Sequence, residues 1–224
     1  MKDFSPKAAL YEQVARIGRA LASPKRLELL ELLAQGEKTV ETLAAALGID
    51  LRLASAHLRT LAAARIVTAR REGKYRWYRL SGSDVARLWV RLREVAEQHL
   101  SELQVALAAL TTDSKALTEV DRAQLLEQAR SGAVVIIDVR PRDEYDSAHL
   151  PFARSLPLAE LEARLAELPR DRDIVAYCRG PFCVFADTAV RLLAARGYRA
   201  RKLRDGVSEW HAAGLPLAHV ATAV

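Results

Sequence analysis

The sequence predicts a two-domain fold: a mainly α domain with one β-hairpin, followed by an α/β domain built on a parallel sheet. Three observations predict it: helical spacing of apolar residues in the first half, apolar strands alternating with helices in the second, and a one-sided charge distribution. Residues 1–110 contain 18 Lys and Arg against 12 Asp and Glu, whereas residues 111–224 contain 16 of each. The predicted domains are residues 1–110 and 117–224, joined by a polar linker at residues 111–116.

Two helices are predicted near the N-terminus. Apolar residues follow helical spacing from Leu10 to Leu21. In the segment SPKRLELLELLAQG, Ser23 is the expected N-cap, Pro24 lies in the first turn and Gly36 marks the end. These signals predict two helices before residue 36.

A helix-turn-helix is predicted next. TVETLAAALGI is capped by Thr39 and ends at a glycine, and DLRLASAHLRTLAAARI begins at Asp50 after a short turn. In the second helix, Leu53, Leu58 and Leu61 are expected in the core, with basic residues on the solvent side. This arrangement is typical of an element that reads DNA.

The segment IVTARREGKYRWYRLS predicts a β-hairpin around a Glu-Gly-Lys turn. Between Leu51 and Leu80 the chain has eight Lys and Arg residues and one acidic residue, Glu72. A basic patch of this kind neutralises phosphates. The helix-turn-helix and the hairpin together predict a surface for double-stranded DNA.

ALASPKRLELLELL, SAHLRTLAAARIV and REGKYRWYRL resemble the winged helix-turn-helix repressors of the ArsR family, across about residues 10–110. The resemblance implies that the fourth helix enters the major groove, and that the hairpin contacts phosphates or the minor groove. The expected DNA-binding residues are Arg52, Ser55, His57, Arg59, Arg70, Arg71, Lys74 and Arg76.

One long helix is predicted from Ser83 to Leu110, because its apolar residues follow heptad-like spacing. In the resembled family, the first and last helices of the domain form a two-fold dimer. The resemblance therefore implies a homodimer, which also suits a palindromic operator.

Many ArsR-family repressors bind metals, but this sequence lacks the family's usual ligands. The segment EKTVETL supplies no cysteine pair for a third-helix site. A last-helix site requires Asp-x-His, whereas Asp84 is followed by Ala86, and His99 is out of register. No metal and no cofactor are expected, so the signal must enter outside this half.

The second half alternates helices and strands. QLLEQARSG, LAELEARLAEL and FADTAVRLLAARG are predicted helices, whereas AVVIIDVR, DIVAYC and RARKLRDG contain predicted strands. This alternation indicates a parallel sheet covered on both faces. Ligands of such sheets bind at the carboxyl ends of strands, where Cys178 lies.

IDVRPRDEYDSAHLPFARSLPL and LRDGVSEWHAAGLPL resemble the N-terminal and C-terminal signatures of rhodanese domains, and the match covers about residues 117–218. Phe152 departs from the pattern, because the family usually has glycine there. The resemblance implies a persulfide held on the first cysteine of a six-residue loop. That cysteine is Cys178, and the sixth position is Cys183.

Both cysteines of the chain lie in the segment VAYCRGPFCVFAD. Loop N–H groups, the start of the next helix and the Arg179 cation are expected to lower the pKa of Cys178. Val184 stands where Cys-x5-Arg phosphatases and arsenate reductases have arginine, which disfavours phosphoryl chemistry. The expected reactive residues are Cys178, Cys183 and Arg179, and the expected anion- or sulfur-binding residues are Gly180, Phe182, Asp138 and Arg140.

Cys183 has two interpretations at this point: it attacks a persulfide on Cys178, or it packs as a small apolar residue. The favoured function is a homodimeric repressor that senses or transfers reactive sulfur, with persulfide, polysulfide or thiosulfate as small partners. One alternative is a sulfurtransferase tethered to DNA, and another is an arsenic- or soft-metal-responsive repressor using the same dithiol. Without an N-terminal apolar segment or a spanning run, a cytoplasmic protein without membrane contact is expected.

Overall fold

The computed structural model describes residues 6–110, 117–118 and 121–220, so the predicted linker at residues 111–116 lies outside the described residues. The chain divides into two compact units, Met1–Trp89 and Val90–Val224. Each unit has a buried apolar core of its own. No described helix combines the length and the apolar character that crossing a membrane requires.

The first unit begins with four helices, as predicted. The side chains of Thr39 and Asp50 accept hydrogen bonds from backbone N–H groups, which confirms them as N-caps. Gly48 ends the third helix with a φ of +61°. Ser23 occupies the N-cap position of the second helix, but its side chain makes no capping hydrogen bond. The helices are α1 (Pro6–Leu21), α2 (Pro24–Leu33), α3 (Val40–Leu47) and α4 (Leu51–Ala63).

Helix α4 buries Ala54, Leu58 and Leu61, which lie four and three residues apart and so share one side. The prediction that Leu53 faces the core is wrong, because its side chain is 41% exposed. Five residues separate Leu53 from Leu58, which is a rotation of about 140° around the helix. The core-facing position belongs to Ala54 instead.

The predicted hairpin is confirmed. Strands β1 (Lys38–Thr39), β2 (Val67–Glu72) and β3 (Tyr75–Leu80) form an antiparallel sheet in the order β1-β3-β2. Gly73 turns the chain between the last two strands with a φ of +58°, a conformation that favours glycine. Of β2, only Val67 is buried, so the other side chains of this strand are open to solvent.

Two helices, α5 (Ser83–His99) and α6 (Ser101–Leu110), occupy the segment predicted as one. The prediction of a continuous helix is wrong at Leu100. At this break the side-chain amide of Gln104 donates to the carbonyl oxygen of Glu97 at 3.0 Å. A side chain thus satisfies a carbonyl group near the end of α5.

The second unit contains the predicted parallel sheet. Its strands are β4 (Leu117–Thr118), β5 (Val134–Asp138), β6 (Arg154–Ser155), β7 (Asp173–Tyr177) and β8 (Ala200–Leu203). All neighbouring strands pair in parallel, in the order β4-β8-β7-β5-β6. The two edge strands, β4 and β6, have two residues each, which is too short to produce a recognisable sequence pattern.

The helix predicted for LAELEARLAEL is wrong as a single element, because a short helix ends at Leu161 and a 3-10 turn follows at Leu165–Glu167. An α-helix would pair the Leu165 carbonyl with the N–H of residue 169, but Pro169 has none. The hydroxyl of Tyr198 donates to this carbonyl instead, at 2.7 Å. The helices of the unit after α6 are α7 (Arg122–Arg130), α8 (Arg142–Ser147), α9 (Leu158–Leu161), α10 (Phe185–Ala195) and α11 (Val207–Ala212).

Apolar clusters cover both faces of this sheet. One combines alternate residues of β5 and β7 with the inner side of α10, and it includes Cys178 and Cys183. The other contains the remaining residues of these strands, together with Trp210 of α11. The cysteines therefore lie where the carboxyl end of β7 meets the start of α10.

Candidate functional site

The loop between β7 and α10 brings the two cysteines together. Both are reduced, and both are buried, with Cys178 1% exposed and Cys183 8% exposed. The sulfur of Cys178 lies 3.3 Å from the carbonyl oxygen of Cys183. The N–H of Cys183 donates to the carbonyl of Gly180 at 3.1 Å, and Gly180 has a φ of +137° that favours glycine.

The pKa values of the two thiols move in opposite directions. The pKa of Cys183 is lowered to about 6, chiefly by a hydrogen bond from Cys178 and also by the backbone N–H groups of Arg179 and Phe185, against the effect of burial. Burial raises the pKa of Cys178 well above its usual value, and the neighbouring Cys183 adds to this rise. The opposite shifts favour the thiolate at Cys183 and the thiol at Cys178. The sequence led us to expect the lowered pKa at Cys178. In the structure the lowered pKa belongs to Cys183, whereas Cys178 is the more deeply buried thiol and the hydrogen-bond donor of the pair.

Arg179 contacts a carboxylate beside the loop. Its guanidinium donates two hydrogen bonds to Glu144 of α8, at 2.8 and 2.9 Å, and lies over the ring of Phe185. Glu144 is itself buried. The Arg179 charge still lowers the pKa of Cys183. Arg179 thus acts on the site through its charge and its backbone N–H, with its side chain anchored to α8.

Lys202 is a residue of this site that sequence reasoning missed. It lies in β8 and is buried, with Nζ 2.6 Å from Asp187 of α10 and 3.4 Å from the carbonyl oxygen of Cys183. Its charge opposes the rise in the pKa of Cys178. A lysine inside a short parallel strand is the signal that could have identified it, because buried lysines require a compensating partner.

A second loop packs against the backbone of the cysteine loop. A Cβ atom on Gly206 would lie 2.5 Å from the carbonyl oxygen of Cys178, so this close approach requires glycine. Glu209, three residues later, accepts a hydrogen bond from the N–H of Gly206 at 2.6 Å. Its carboxylate also lies against Gly180, where an added Cβ would approach it to 2.9 Å. This carboxylate was not among the predicted site residues.

Asp138 and Arg140 form a fully buried ion pair at the end of β5. Arg140 donates to both carboxylate oxygens of Asp138 and to the carbonyl of Ala148 at 2.8 Å. Tyr177 donates its hydroxyl to Asp138 at 2.5 Å, and burial together with the Asp138 charge raises the pKa of that phenol. The structure thus places the pair in a core network, and its predicted part in binding sulfur anions stays a prediction.

The residues predicted to read DNA bases lie along α4. Arg52 and Arg59 are exposed, whereas Ser55 and His57 are half-buried. Leu51 and Leu53 are also exposed, which adds apolar surface to the start of this helix. The helix therefore offers two exposed arginines and an apolar patch to a partner.

The predicted phosphate-binding residues all lie on the hairpin. Arg71 stands opposite Arg76 in the strand pairing, and such like-charge pairs are unfavourable until an anion binds between them. Among the described residues, no acidic side chain forms an ion pair with either of them. Lys74 lies over the ring of Tyr75 at 5.2 Å.

Arg70 differs from the other basic residues of the hairpin. It donates to both carboxylate oxygens of Glu37, at 2.8 to 3.0 Å, and also pairs with Glu72. These hydrogen bonds raise its pKa. Its guanidinium also lies over the ring of Trp77. Arg70 must exchange these carboxylates for a phosphate if it contacts DNA.

Two known families match separate parts of the chain. Residues 23–69 match the family described as "Bacterial regulatory protein, arsR family", and residues 121–213 match the rhodanese-like domain. The HTH-type transcriptional regulator Rv0324 of Mycobacterium tuberculosis is 50% identical over 94% of this chain and 92% of its own length. A protein named sulfurtransferase from Allochromatium vinosum is 33% identical over 45% of this chain and 94% of its own length.

Several solved structures align with the N-terminal part. Among them, the homodimeric winged helix-turn-helix DNA-binding domain of Mb0332 from Mycobacterium bovis is 49% identical, with a TM-score of 0.42, and the alignment covers 46% of this chain and 94% of that one. The match to the regulator from M. tuberculosis, by contrast, spans nearly the whole of both proteins. The chain therefore belongs to the ArsR family of bacterial transcriptional regulators and carries a C-terminal rhodanese-like domain.

Proposed function

We propose that this regulator is a homodimeric repressor, and that its two cysteines react with sulfane sulfur and thereby set its affinity for operator DNA. One observation carries the proposal: two reduced, buried cysteines share one loop of a rhodanese-like domain, with the sulfur of Cys178 3.3 Å from the carbonyl oxygen of Cys183. The lowered pKa of Cys183 makes it the nucleophile of the pair. A two-step thiol–disulfide reaction requires such a nucleophile beside a second, resolving thiol.

The first step is attack of the Cys183 thiolate on the outer sulfur of a persulfide or polysulfide, RS–SH. The donor's S–S bond breaks, a new S–S bond forms on Cys183, and RS⁻ leaves. The thiol of Cys178 then attacks the inner sulfur of Cys183–S–SH, and its proton goes to the departing HS⁻. The products are hydrogen sulfide and a Cys178–Cys183 disulfide, so two thiols lose two electrons and the sulfane sulfur gains them. The disulfide needs Cα atoms within about 7 Å of each other.

DNA binding is assigned to α4 and the hairpin. The exposed Arg52 and Arg59 suit base edges in the major groove, with Ser55 and His57 beside them. Arg71, Lys74 and Arg76 suit phosphates, because a strand pairing that opposes two arginines is stabilised by a bound anion. These are seven of the eight residues predicted from the sequence, and the eighth, Arg70, is held by Glu37.

Dimerisation is assigned to α1 and α5. Leu10, Tyr11 and Val14 of α1 are 65–70% exposed, and α5 exposes Leu88 and Val95 to about two-fifths. Large apolar side chains clustered on two helices mark a contact surface. A second copy of the chain covers both faces at once in a two-fold arrangement.

The test is operator affinity in three states of the full chain: reduced, treated with inorganic polysulfide, and reduced again. The operator is first selected from a random DNA pool. We expect polysulfide to weaken binding by about 5- to 150-fold, which is the usual range of allosteric coupling, and reduction to restore it. The Cys178→Ser and Cys183→Ser variants should not form the disulfide, and their affinity should stay at the reduced value.

Equal affinity of all three wild-type states would reject the sensor. The match to a sulfurtransferase favours one alternative, in which the rhodanese-like domain turns over sulfur and the winged helix tethers it to DNA. Thiosulfate-to-cyanide turnover measures that activity directly. Arsenite added in place of polysulfide tests the soft-metal alternative, and mass spectrometry identifies the adduct.

The Glu37→Gln variant is expected to bind DNA more tightly than wild type. The substitution removes the carboxylate that holds Arg70 by three hydrogen bonds, and so frees this guanidinium for a phosphate. Each additional phosphate that the protein binds steepens the slope of log K against log salt by about 0.9. The control is Glu127→Gln, which makes the same change in net charge on α7 and should leave the slope unchanged. An unchanged slope in Glu37→Gln would show that Arg70 does not bind a phosphate.

A further inference from the structure

Helix α5 has two faces with different surroundings. Leu88, Leu92 and Val95 are 38–43% exposed on the face assigned to the dimer. Arg93 is only 3% exposed, and Val90, one turn earlier, is buried with it. A buried guanidinium requires groups that compensate its charge. The partners of Arg93 therefore identify which part of the second unit this face of α5 contacts.

Two of the partners of Arg93 lie at the cysteine loop. Its Nη2 donates to Glu209 at 2.7 Å, and its Nε lies 3.3 Å from Glu97. Its guanidinium carbon lies 5.4 Å from the ring centroid of Phe182, the residue before Cys183. All of these residues belong to the second unit, Val90–Val224. One end of the cysteine loop thus rests on Arg93 through an aromatic ring.

Glu209 extends this contact to the other end of the loop. Its carboxylate accepts the N–H of Gly206 and lies against Gly180. Gly206 in turn lies against the carbonyl of Cys178. Arg93 thus reaches the loop at both ends, beside Cys183 through the ring and beside Cys178 through the carboxylate.

We propose that Arg93 is a positioning residue that couples the state of the cysteine loop to helix α5. This inference rests on the proposed function, because it concerns how a disulfide in that loop changes DNA binding. Formation of the Cys178–Cys183 disulfide changes the conformation of the loop at Phe182, which Arg93 contacts, and at Gly180, which Glu209 contacts. The guanidinium of Arg93 then moves with the Phe182 ring or with the Glu209 carboxylate.

Because the Arg93 side chain is enclosed, a displacement of its guanidinium is transmitted to the backbone of α5. The same helix exposes the apolar face assigned to the dimer, and it begins at Ser83, within the first unit. A ligand changes an equilibrium only through contacts that differ between two states, and in this proposal those contacts are the ones that Arg93 makes to Phe182 and Glu209. The disulfide therefore acts on the dimer through α5.

The experiment compares two states of the full chain: reduced, and treated with excess inorganic polysulfide until the mass shows loss of two hydrogens. Amide hydrogen exchange of residues 90–99 and operator affinity are measured in both. In the wild type we expect severalfold faster exchange in this segment after oxidation, and weaker operator binding. Both differences should shrink in Arg93→Met, which keeps an apolar stem, and in Phe182→Leu, which leaves the pair with Glu209 in place. Arg91→Met removes the same charge from the exposed side of α5 and should retain both differences.

The difference between states separates coupling from architecture, because a merely structural residue would change both states alike. The proposal would be overturned if Arg93→Met and Phe182→Leu showed the same differences in exchange and operator affinity between the two states as the wild type does. Unchanged exchange in oxidised wild type would also overturn it, even if operator affinity responded. Changed exchange with unchanged operator affinity would keep the coupling and reject the proposed function. If Arg93→Met does not fold, Arg93→Lys and Phe182→Leu test the proposal instead. Lysine keeps the charge of Arg93 but loses the planar contact with the Phe182 ring.

Discussion

Alkylation of the reduced protein by iodoacetamide is expected to rise with pH and to reach half its maximum at about pH 6. The reactive species is a thiolate, and the Cys178 hydrogen bond lowers the pKa of Cys183 to about 6. Because the folded pKa lies below the usual value for a thiol, the charged form appears as pH rises through 6 and is lost as pH falls. At pH 7 about nine-tenths of Cys183 is thiolate.

Two variants assign this titration to one sulfur. In Cys183→Ser only Cys178 remains, and burial should move its midpoint above the usual thiol value, a shift of more than about two pH units from wild type. In Cys178→Ala the hydrogen-bond donor is absent, so the midpoint of Cys183 should rise from about 6. Low-pH reactivity that survived in Cys183→Ser and vanished in Cys178→Ala would place the thiolate on Cys178.

The Asp138→Ala variant is expected to lose about 3–5 kcal/mol of unfolding free energy, because it leaves the fully buried Arg140 without its carboxylate. Tyr177 loses the acceptor of its hydroxyl at the same time. Urea unfolding of the full chain, followed through the transition of the second unit, measures the change.

Asp146→Ala is the matched control, since it breaks an exposed pair with Arg142 that is worth less than about 1 kcal/mol. The two outcomes for Asp138 also separate structure from chemistry. Wild-type stability combined with lost sulfur uptake would return Asp138 and Arg140 to the sulfur-binding group that the sequence predicted. A large loss of stability would identify the pair as part of the core.

Local signals predicted most of the fold. The caps at Thr39 and Asp50, the Gly73 turn and the apolar strands around Ile136 and Val175 each act within a few residues, so the sequence displays them directly. One failure had a local cause: the helix predicted for LAELEARLAEL ends at Leu161, and Pro169 cannot donate to the carbonyl of Leu165. The group that donates to this carbonyl instead, the hydroxyl of Tyr198, lies 33 positions away, and no local pattern shows that contact.

The candidate site divides in the same way. The spacing of Cys178 and Cys183 places both in one loop, and this was readable from the sequence. Arg93 and Glu209, by contrast, are 116 positions apart in the chain and meet only in the fold. The direction of the pKa shifts was also out of reach, because it depends on which thiol is buried more deeply and which donates.

The position of the two cysteines inside an apolar cluster has a consequence for the volume of the core. They share this cluster with Ala186, Ala189 and Val190, so a sulfur atom added to either thiol overpacks a close-packed core. Overpacking of this kind costs about 1–3 kcal/mol. In the proposed reaction the disulfide contains no added atom, whereas the persulfide that precedes it does. Close packing thus favours expulsion of sulfide, and it makes the sulfur-loaded form a short-lived intermediate between two compact states.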